Sequence, residues 1–195
     1  MSKRMPPVGE PLPLDLVNTR ANGPGGEIDL LDSAERFRPW LEAQEGRLSR
    51  ATPGPDSTGP RVDLDAVRAL RSRIEKVVAC ARDGEEPPAQ ALRALTRAQL
   101  AAPLHRRLDW DGGAVTATRV RTGSATDVLL AELADATVDL LIDPAALARV
   151  RCCEGPGCRL LFLAVNPRRR WCSPALCGNR VRVGRYYQRH KEDTE

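Results

Sequence analysis

The sequence has few aromatic residues, no long apolar segment and no apolar core of a signal peptide. Aromatic residues make up 4% of its 195 residues, and no apolar run reaches the roughly 18 residues that a bilayer-spanning helix needs. The N-terminal segment MSKRMPPVGEPLPL has prolines and a glutamate where a signal peptide requires an apolar core. We therefore expect a cytoplasmic protein without a membrane partner.

Signatures of catalysis are also missing. The chain has two histidines, His105 and His190, and neither lies in a recognisable catalytic motif. There is no glycine-rich phosphate loop, and the His-x-Glu with Pro-Cys-x-x-Cys pattern of zinc deaminases is absent. The sequence therefore predicts a protein that is not an enzyme and has no catalytic residues.

Charge is distributed unevenly along the chain. Residues 149–191 contain eleven Lys/Arg and a single acid, Glu154, whereas residues 1–148 contain 19 Lys/Arg and 22 Asp/Glu. A strongly basic segment joined to a nearly neutral body indicates a surface for a polyanion. This change in composition predicts two domains, 1–148 and 149–195.

Apolar periodicity predicts that the domain 1–148 is mainly helical. Helices are expected over about 33–45, 63–82, 89–100 and 124–142, with a further short helix from Pro144. Because Pro39 interrupts the first of these, two short turns are the alternative there. Asp111, Gly112 and Gly113 lie between two alternating segments, which is typical of a β-hairpin. The Pro- and Gly-rich residues 51–60 predict an exposed loop. The expected fold class is mainly α (α+β), with a small cysteine module at the C-terminus.

Four of the six cysteines follow the spacing Cys153-x4-Cys158-x13-Cys172-x4-Cys177. Two cysteine pairs on short loops, separated by about a dozen residues, are typical of tetrahedral zinc. Disulfides are disfavoured in the reducing cytoplasm. These four residues are therefore the predicted ligands of one structural Zn²⁺ per chain. Cys152 is an alternative ligand beside Cys153, and Cys80 is expected in the helical core.

The cysteine module carries most of the clustered arginines. A basic helix is predicted after Gly178 with Asn179 as its cap, and helical spacing brings Arg182, Arg185 and Arg189 to one face. Such a face is suited to phosphate contacts, although some arginines could instead neutralise the zinc thiolates. The predicted nucleic-acid-binding residues are Arg168, Arg169, Arg170, Arg180, Arg182, Arg185 and Arg189.

The C-terminal sequence RCCEGPGCRLLF…RRRWCSPALCGNR resembles the CGNR zinc-finger family, whose name corresponds here to Cys177, Gly178, Asn179 and Arg180. The N-terminal LDLVNTR, followed by DLL and WL, looks like the opening of the ABATE domain that usually precedes this finger. The resemblance implies a stress-related transcription regulator that binds DNA through the finger.

Two functional hypotheses follow. In the first, the chain is a transcription regulator that binds DNA through a four-cysteine zinc finger and the adjacent basic helix, and a homodimer is compatible with this role. In the second, the finger is an RNA-binding or protein-docking module in which Trp171, Tyr186 and Tyr187 stack bases or fill a pocket of a partner, and the N-terminal domain senses a ligand. For LDLVNTR we expect packing with a local cap, and the alternative is a ligand pocket.

Overall fold

A computed structural model describes residues 9–23, 26–48 and 62–184. The predicted loop at 51–60 and the C-terminal residues Arg185, Arg189 and His190 lie outside these ranges. The helices are α1 (Leu12–Val17), α2 (Ala34–Ala43), α3 (Leu64–Asp83), α4 (Ala89–Ala101), α5 (Ala125–Leu141) and α6 (Pro144–Leu147). The strands are β1 (Arg20–Gly23), β2 (Gly26–Asp29), β3 (Leu104–Trp110), β4 (Val115–Arg121), β5 (Val150–Cys152) and β6 (Leu161–Leu163).

The strands form three antiparallel pairs, β1 with β2, β3 with β4, and β5 with β6. The mainly helical α+β fold class expected from the sequence is therefore confirmed, as are the predicted central hairpin and the cysteine module. No helix within the described ranges has the length and apolar character needed to cross a bilayer.

The chain divides into two compact units. One unit combines the two ends of the chain, Met1–Ala43 and Asp143–Glu195, and the other is the central segment Gln44–Ile142. The sequence places a boundary at 148/149, and whether residues 1–148 fold alone stays a prediction.

The central unit is a three-helix packing with a β-hairpin. Helix α3 packs on α4 and α5, and α4 packs on α5. Val67, Ile74, Val77 and Val78 on one face of α3 are fully buried, as helical spacing predicts. Helices α3 and α5 have side-chain caps at their N-termini. Asp63 Oδ1 accepts from the backbone N–H groups of Asp65 and Ala66.

The hairpin β3–β4 has the turn chemistry that the sequence predicts. Asp111 Oδ1 accepts hydrogen bonds from the N–H groups of Gly113 (3.0 Å) and Ala114 (2.8 Å), and Gly112 has a φ of 94° that favours glycine. At the other end of the hairpin, the Arg121 guanidinium pairs with Asp135 of α5.

The terminal unit is built from short elements around a mixed core. Helix α1 buries Leu14 and Leu16 completely, and the Oδ atoms of buried Asp15 accept from the N–H groups of Gly9 and Glu10. In α2, Phe37 stacks on Trp40 with ring centroids 5.1 Å apart. Helix α1 also contacts strand β6, so the N-terminal segment packs against the cysteine module.

Candidate metal centre

The first cysteine loop begins where strand β5 ends. The Cys153 N–H donates to Leu160 O at 2.9 Å, which closes the β5–β6 hairpin around the loop. Within the loop the Cys158 N–H donates to Gly155 O at 2.9 Å, and the Gly155 N–H points to Cys153 Sγ at 3.4 Å. A single tight turn therefore brings both thiols to the same side.

The second loop is a π-helical turn over Pro174–Gly178. Ser173 is its N-cap, with the Oγ accepting from the Leu176 N–H at 3.4 Å. Helical residues continue to Gly184, so Asn179 lies inside the helical segment. The predicted cap at Asn179 is therefore wrong, because the helical backbone has its N-cap at Ser173, six residues before Asn179.

The two loops bring four thiols together. The Sγ atoms of Cys153, Cys158, Cys172 and Cys177 all lie within 4.8 Å of one another. The Cys158–Cys172 and Cys172–Cys177 separations are 3.9 and 3.6 Å. Tetrahedral zinc with Zn–S bonds of about 2.3 Å requires S–S distances of about 3.8 Å. The cluster thus has the size and the donor atoms of a zinc–tetrathiolate site.

Backbone N–H groups aimed at sulfur are a second feature that fits a thiolate cluster. Cys153 Sγ accepts from the Cys172 N–H at 3.2 Å as well as from Gly155. Hydrogen bonds to the charged form of an acid stabilise that form. The backbone therefore supplies part of the compensation for four thiolates around one divalent ion, whose summed charge is −2.

The thiols of the metal-free cluster titrate unequally. A hydrogen bond from Cys172 lowers the pKa of Cys158 to about 5. The same bond raises the pKa of Cys172, and burial raises that of Cys177 to about 11. These shifts describe a Cys158 thiolate that accepts a hydrogen bond from the Cys172 thiol. Metal binding must then displace protons, since zinc binds the thiolate.

Glycine is required inside the first loop. A Cβ placed on Gly155 would lie 2.8 Å from Cys177 Cβ and 2.9 Å from Cys177 Sγ. Both distances are below the closest approach of real Cβ atoms, and the neighbour is itself a ligand. The absence of a side chain at Gly155 therefore lets the second loop reach the first.

The remaining cysteines lie apart from the four-thiol cluster. Cys152 is the last residue of β5 and is exposed, whereas Cys80 is buried in α3. None of the six cysteines, all of which are described, forms a disulfide. Because strand residues alternate in direction, Cys152 and Cys153 cannot both point into the site, and the structure places Cys153 there.

Arg169 is bound into the metal centre. Its guanidinium donates to the carbonyl oxygens of Cys172 (2.7 Å), Trp171 (3.1 Å) and Leu163 (3.3 Å). It also lies over the Phe162 ring, 4.4 Å from the centroid. We therefore assign Arg169 to the support of the second loop rather than to an outer surface.

The other predicted nucleic-acid-binding arginines of the described finger are exposed. Arg170 pairs with Glu154, with Nε 2.6 Å from Oε2, and this pair lowers the pKa of the Glu154 carboxyl. Arg180 donates to Pro156 O at 3.2 Å, and Arg182 donates to Asn179 Oδ1 at 2.7 Å. Arg168 lies in an exposed turn, where its backbone N–H donates to Asn166 Oδ1 at 2.9 Å, whereas Arg185 and Arg189 lie outside the described residues.

Contacts from the N-terminal segment were not expected from the sequence. The Asn18 side chain bonds to the backbone of Leu161, and Glu10 bonds to the Leu163 N–H. Ala21 belongs to the same buried cluster as Phe162 and the zinc-site cysteines. The polar residues of LDLVNTR, Asn18 among them, are the only hint of these contacts in the sequence. Nothing in the sequence indicates that Asn18 binds Leu161, which lies 143 positions away.

Local packing and capping of LDLVNTR are confirmed. Leu14, Leu16 and Val17 are buried, and the Thr19 hydroxyl donates to Leu16 O at 2.6 Å.

Two family models match the chain. The ABATE model, described as "Putative stress-induced transcription regulator", matches residues 10–144. The chain belongs to the ABATE family. The model of the CGNR zinc finger matches residues 149–190, which include the four clustered cysteines. None of the curated proteins matches the chain. The resemblance drawn from the sequence is thus confirmed for both segments of this ABATE protein, and its finger is a zinc-binding module.

Proposed function

We propose that this ABATE protein is a transcription regulator that binds DNA through the outer surface of its zinc finger. The observation that carries the proposal is the set of exposed arginines on a metal-stabilised support. Arg168, Arg170, Arg180 and Arg182 are exposed, and the family description supports a regulatory role. Under this proposal the protein works in the cytoplasm and has no catalytic function.

Zinc in this proposal is structural. Four cysteine thiolates complete a tetrahedron, so no coordination position remains for water or substrate. The ion would join the two cysteine loops, which are neighbours of these arginines in the chain, and would contribute on the order of 10 kcal/mol to folding of such a module. Catalysis by the metal is not part of the proposal.

Charge on the finger supports a polyanionic partner. Residues 149–191 carry eleven Lys/Arg and one acid, and the −2 of a zinc–tetrathiolate site offsets only a small part of this excess. Glu154 partly neutralises Arg170, and Arg169 is bound to loop carbonyls. We therefore place the main phosphate contacts on Arg168 and Arg182, with Arg180 as a further contact.

The alternative of a base-stacking RNA module or an aromatic docking module has less support from the described part of the finger. Its aromatic residues within 149–184 are Phe162 and Trp171, whereas Tyr186 and Tyr187, which this alternative also uses, lie outside the described residues. Phe162 is fully buried, and Trp171 packs against the zinc-site cluster. Recognition of single-stranded RNA normally uses exposed aromatic platforms. DNA backbone contact by arginine needs no such platform.

A salt-titrated binding assay with duplex DNA tests the proposal. Each phosphate neutralised contributes about −0.9 to the slope of log K against log salt on B-DNA. We expect the double variant Arg168→Ala/Arg182→Ala to bind more weakly, with a slope that is shallower by about 2. Its zinc content should equal that of the wild type.

The matched control removes the same charge from the central unit. Arg93 and Arg97 are exposed on α4, and Arg93→Ala/Arg97→Ala should leave the salt slope unchanged. If the control flattens the slope as much as the finger variant, the binding surface lies elsewhere. If the wild type binds single-stranded RNA but no duplex at low salt, the RNA-binding hypothesis replaces DNA binding.

A further inference from the structure

Strand β6 has one edge that no strand of the described residues pairs with, and side chains from the N-terminal segment bind the backbone along it. Strand β6 pairs with β5 along one edge, where the Cys153 N–H donates to Leu160 O and the Ala164 N–H donates to Arg149 O. Successive residues of a strand direct their backbone groups to opposite edges. Leu161 and Leu163 therefore present their N–H groups to the other edge.

Asn18 fills the first position on that edge. Its Nδ2 donates to Leu161 O, and its Oδ1 accepts from the Leu161 N–H, both at 2.8 Å. Asn18 is 3% exposed. An amide that satisfies both backbone groups of one residue imitates a neighbouring strand, and without it two buried polar groups would lack partners.

Glu10 fills the second position and extends the connection to the other cysteine loop. Its Oε2 accepts from the Leu163 N–H at 2.8 Å, and its Oε1 accepts from the Arg169 guanidinium at 2.6 Å. Arg169 in turn donates to Cys172 O. One carboxylate thus joins the strand that follows Cys158 to the backbone of Cys172.

We infer that Asn18 and Glu10 are positioning residues of the zinc site, so that the N-terminal segment sets the affinity of the finger for its metal. Asn18 fixes β6, and Glu10 with Arg169 fixes the second loop relative to β6. Together they hold the two cysteine pairs at the separation that zinc requires. This inference concerns the metal site and does not depend on DNA binding.

Zinc affinity of the full-length protein provides the test. Zn²⁺ is titrated against a competing chelator at fixed pH, and Co²⁺ replaces it for absorption spectra of the thiolate site. Outer partners of metal ligands typically change affinity by about 10- to 100-fold. We expect a loss in this range for Asn18→Ala and for Glu10→Ala, together with altered Co²⁺ bands. Glu10→Gln keeps an acceptor for Leu163 but loses the charge facing Arg169, so its affinity should be intermediate.

A control separates positioning from loss of overall stability. Phe37→Leu reduces packing on Trp40 in the same unit and should lower the melting temperature without changing zinc affinity. If Phe37→Leu weakens zinc binding as much as Asn18→Ala, the effect is one of general stability and the inference is wrong. Zinc affinities within about twofold of wild type in Asn18→Ala and Glu10→Ala, well below the range expected for such partners, would also overturn it.

Glu10→Gln keeps the test decisive if the alanine variants do not fold. In the zinc-bound wild type, the Leu161 and Leu163 amides should exchange slowly with deuterium because Asn18 and Glu10 accept from them. In zinc-bound Glu10→Gln, exchange at Leu163 should accelerate more than at Leu161, because the new amide no longer has the charge that binds Arg169, whereas the Asn18 acceptor of Leu161 is unchanged. Equal exchange rates in the two proteins would show that the carboxylate does not position the strand.

Discussion

Burial and hydrogen bonding separate the cysteines into two groups at the scale of single residues. Cys153, Cys172 and Cys177 are buried and Cys158 is half-buried, and their sulfurs contact one another or backbone N–H groups. Cys152 and Cys80 lie outside this cluster. Because zinc binds thiolates, the affinity of the cluster for zinc depends on the deprotonation of its thiols.

We predict that zinc uptake at pH 7 releases at least two protons. The raised pKa values of Cys172 and Cys177 keep both thiols protonated at this pH, whereas the lowered pKa of Cys158, about 5, leaves it as a thiolate. Zinc displaces the bound protons, so its affinity should rise roughly 100-fold or more per pH unit near neutrality. Calorimetry in buffers of different ionisation enthalpy measures the proton count directly.

The sign of this dependence follows from the directions of the pKa shifts. As pH falls, more protons compete with the metal, and below about pH 5 the Cys158 thiol adds a further proton to the competition. Cys152→Ser should give the same proton count and zinc stoichiometry as the wild type, whereas Cys158→Ser should lose tight binding. Release of fewer than two protons in the wild type would contradict the prediction.

The ligand set could be predicted from sequence because the information is local. Each cysteine pair is separated by four residues, and the turn-forming Gly155, Pro156 and Gly157 lie between the first two. The roles of Asn18 and Arg169 could not be predicted in the same way. Asn18 binds Leu161, 143 positions away, and the arginine pattern does not distinguish Arg169, which supports a loop, from Arg168, which is exposed.

At the scale of elements, the long helices were predictable and the short strands were not. Helices α3, α4 and α5 follow a regular apolar period, and α3 and α5 carry side-chain caps, including the Ser124–Asp127 capping box. Strands β1, β2, β5 and β6 have three or four residues each, which is too short for an alternating pattern to stand out. Their positions depend on the packing of the terminal unit.

The first cysteine loop leads to a prediction at this scale. Gly155→Ala should weaken zinc binding by at least about 10-fold, because the new Cβ would collide with the Cys177 side chain. A displaced ligand cannot keep its bond length and its angle at the metal. Chelator competition measures the affinity, and the Co²⁺ spectrum reports the distorted geometry.

Gly184→Ala is the matched control for this substitution. Gly184 is helical, and nothing lies within 4 Å of a Cβ built there. Alanine stabilises an exposed helical position relative to glycine by up to about 1 kcal/mol, so zinc affinity should stay at the wild-type value. Equal affinities of Gly155→Ala and the wild type would show that the two loops can separate without cost.

At the scale of the whole molecule, the ends of the chain form one unit and residues 44–142 form another. Composition alone suggests a different division, because the basic segment begins at residue 149. The charge distribution describes the surface of the finger, whereas the buried contacts of Asn18 and Ala21 show which residues share its core. The two criteria therefore separate the chain at different places, and metal removal can distinguish them.

We predict that a strong chelator unfolds α1 together with the finger and leaves the central unit folded. Zinc contributes on the order of 10 kcal/mol to a small module, which is comparable with the whole stability of a typical domain, about 5–15 kcal/mol. Hydrogen–deuterium exchange of the full-length protein should show peptides from Leu12–Val17 and Leu161–Leu163 losing protection together. Peptides from α3 and α5 should stay protected, since their apolar core contains no metal ligand. If α1 instead keeps its protection alongside α3 while only residues after 148 exchange, the chain divides at 148/149 and the N-terminal segment folds without the finger.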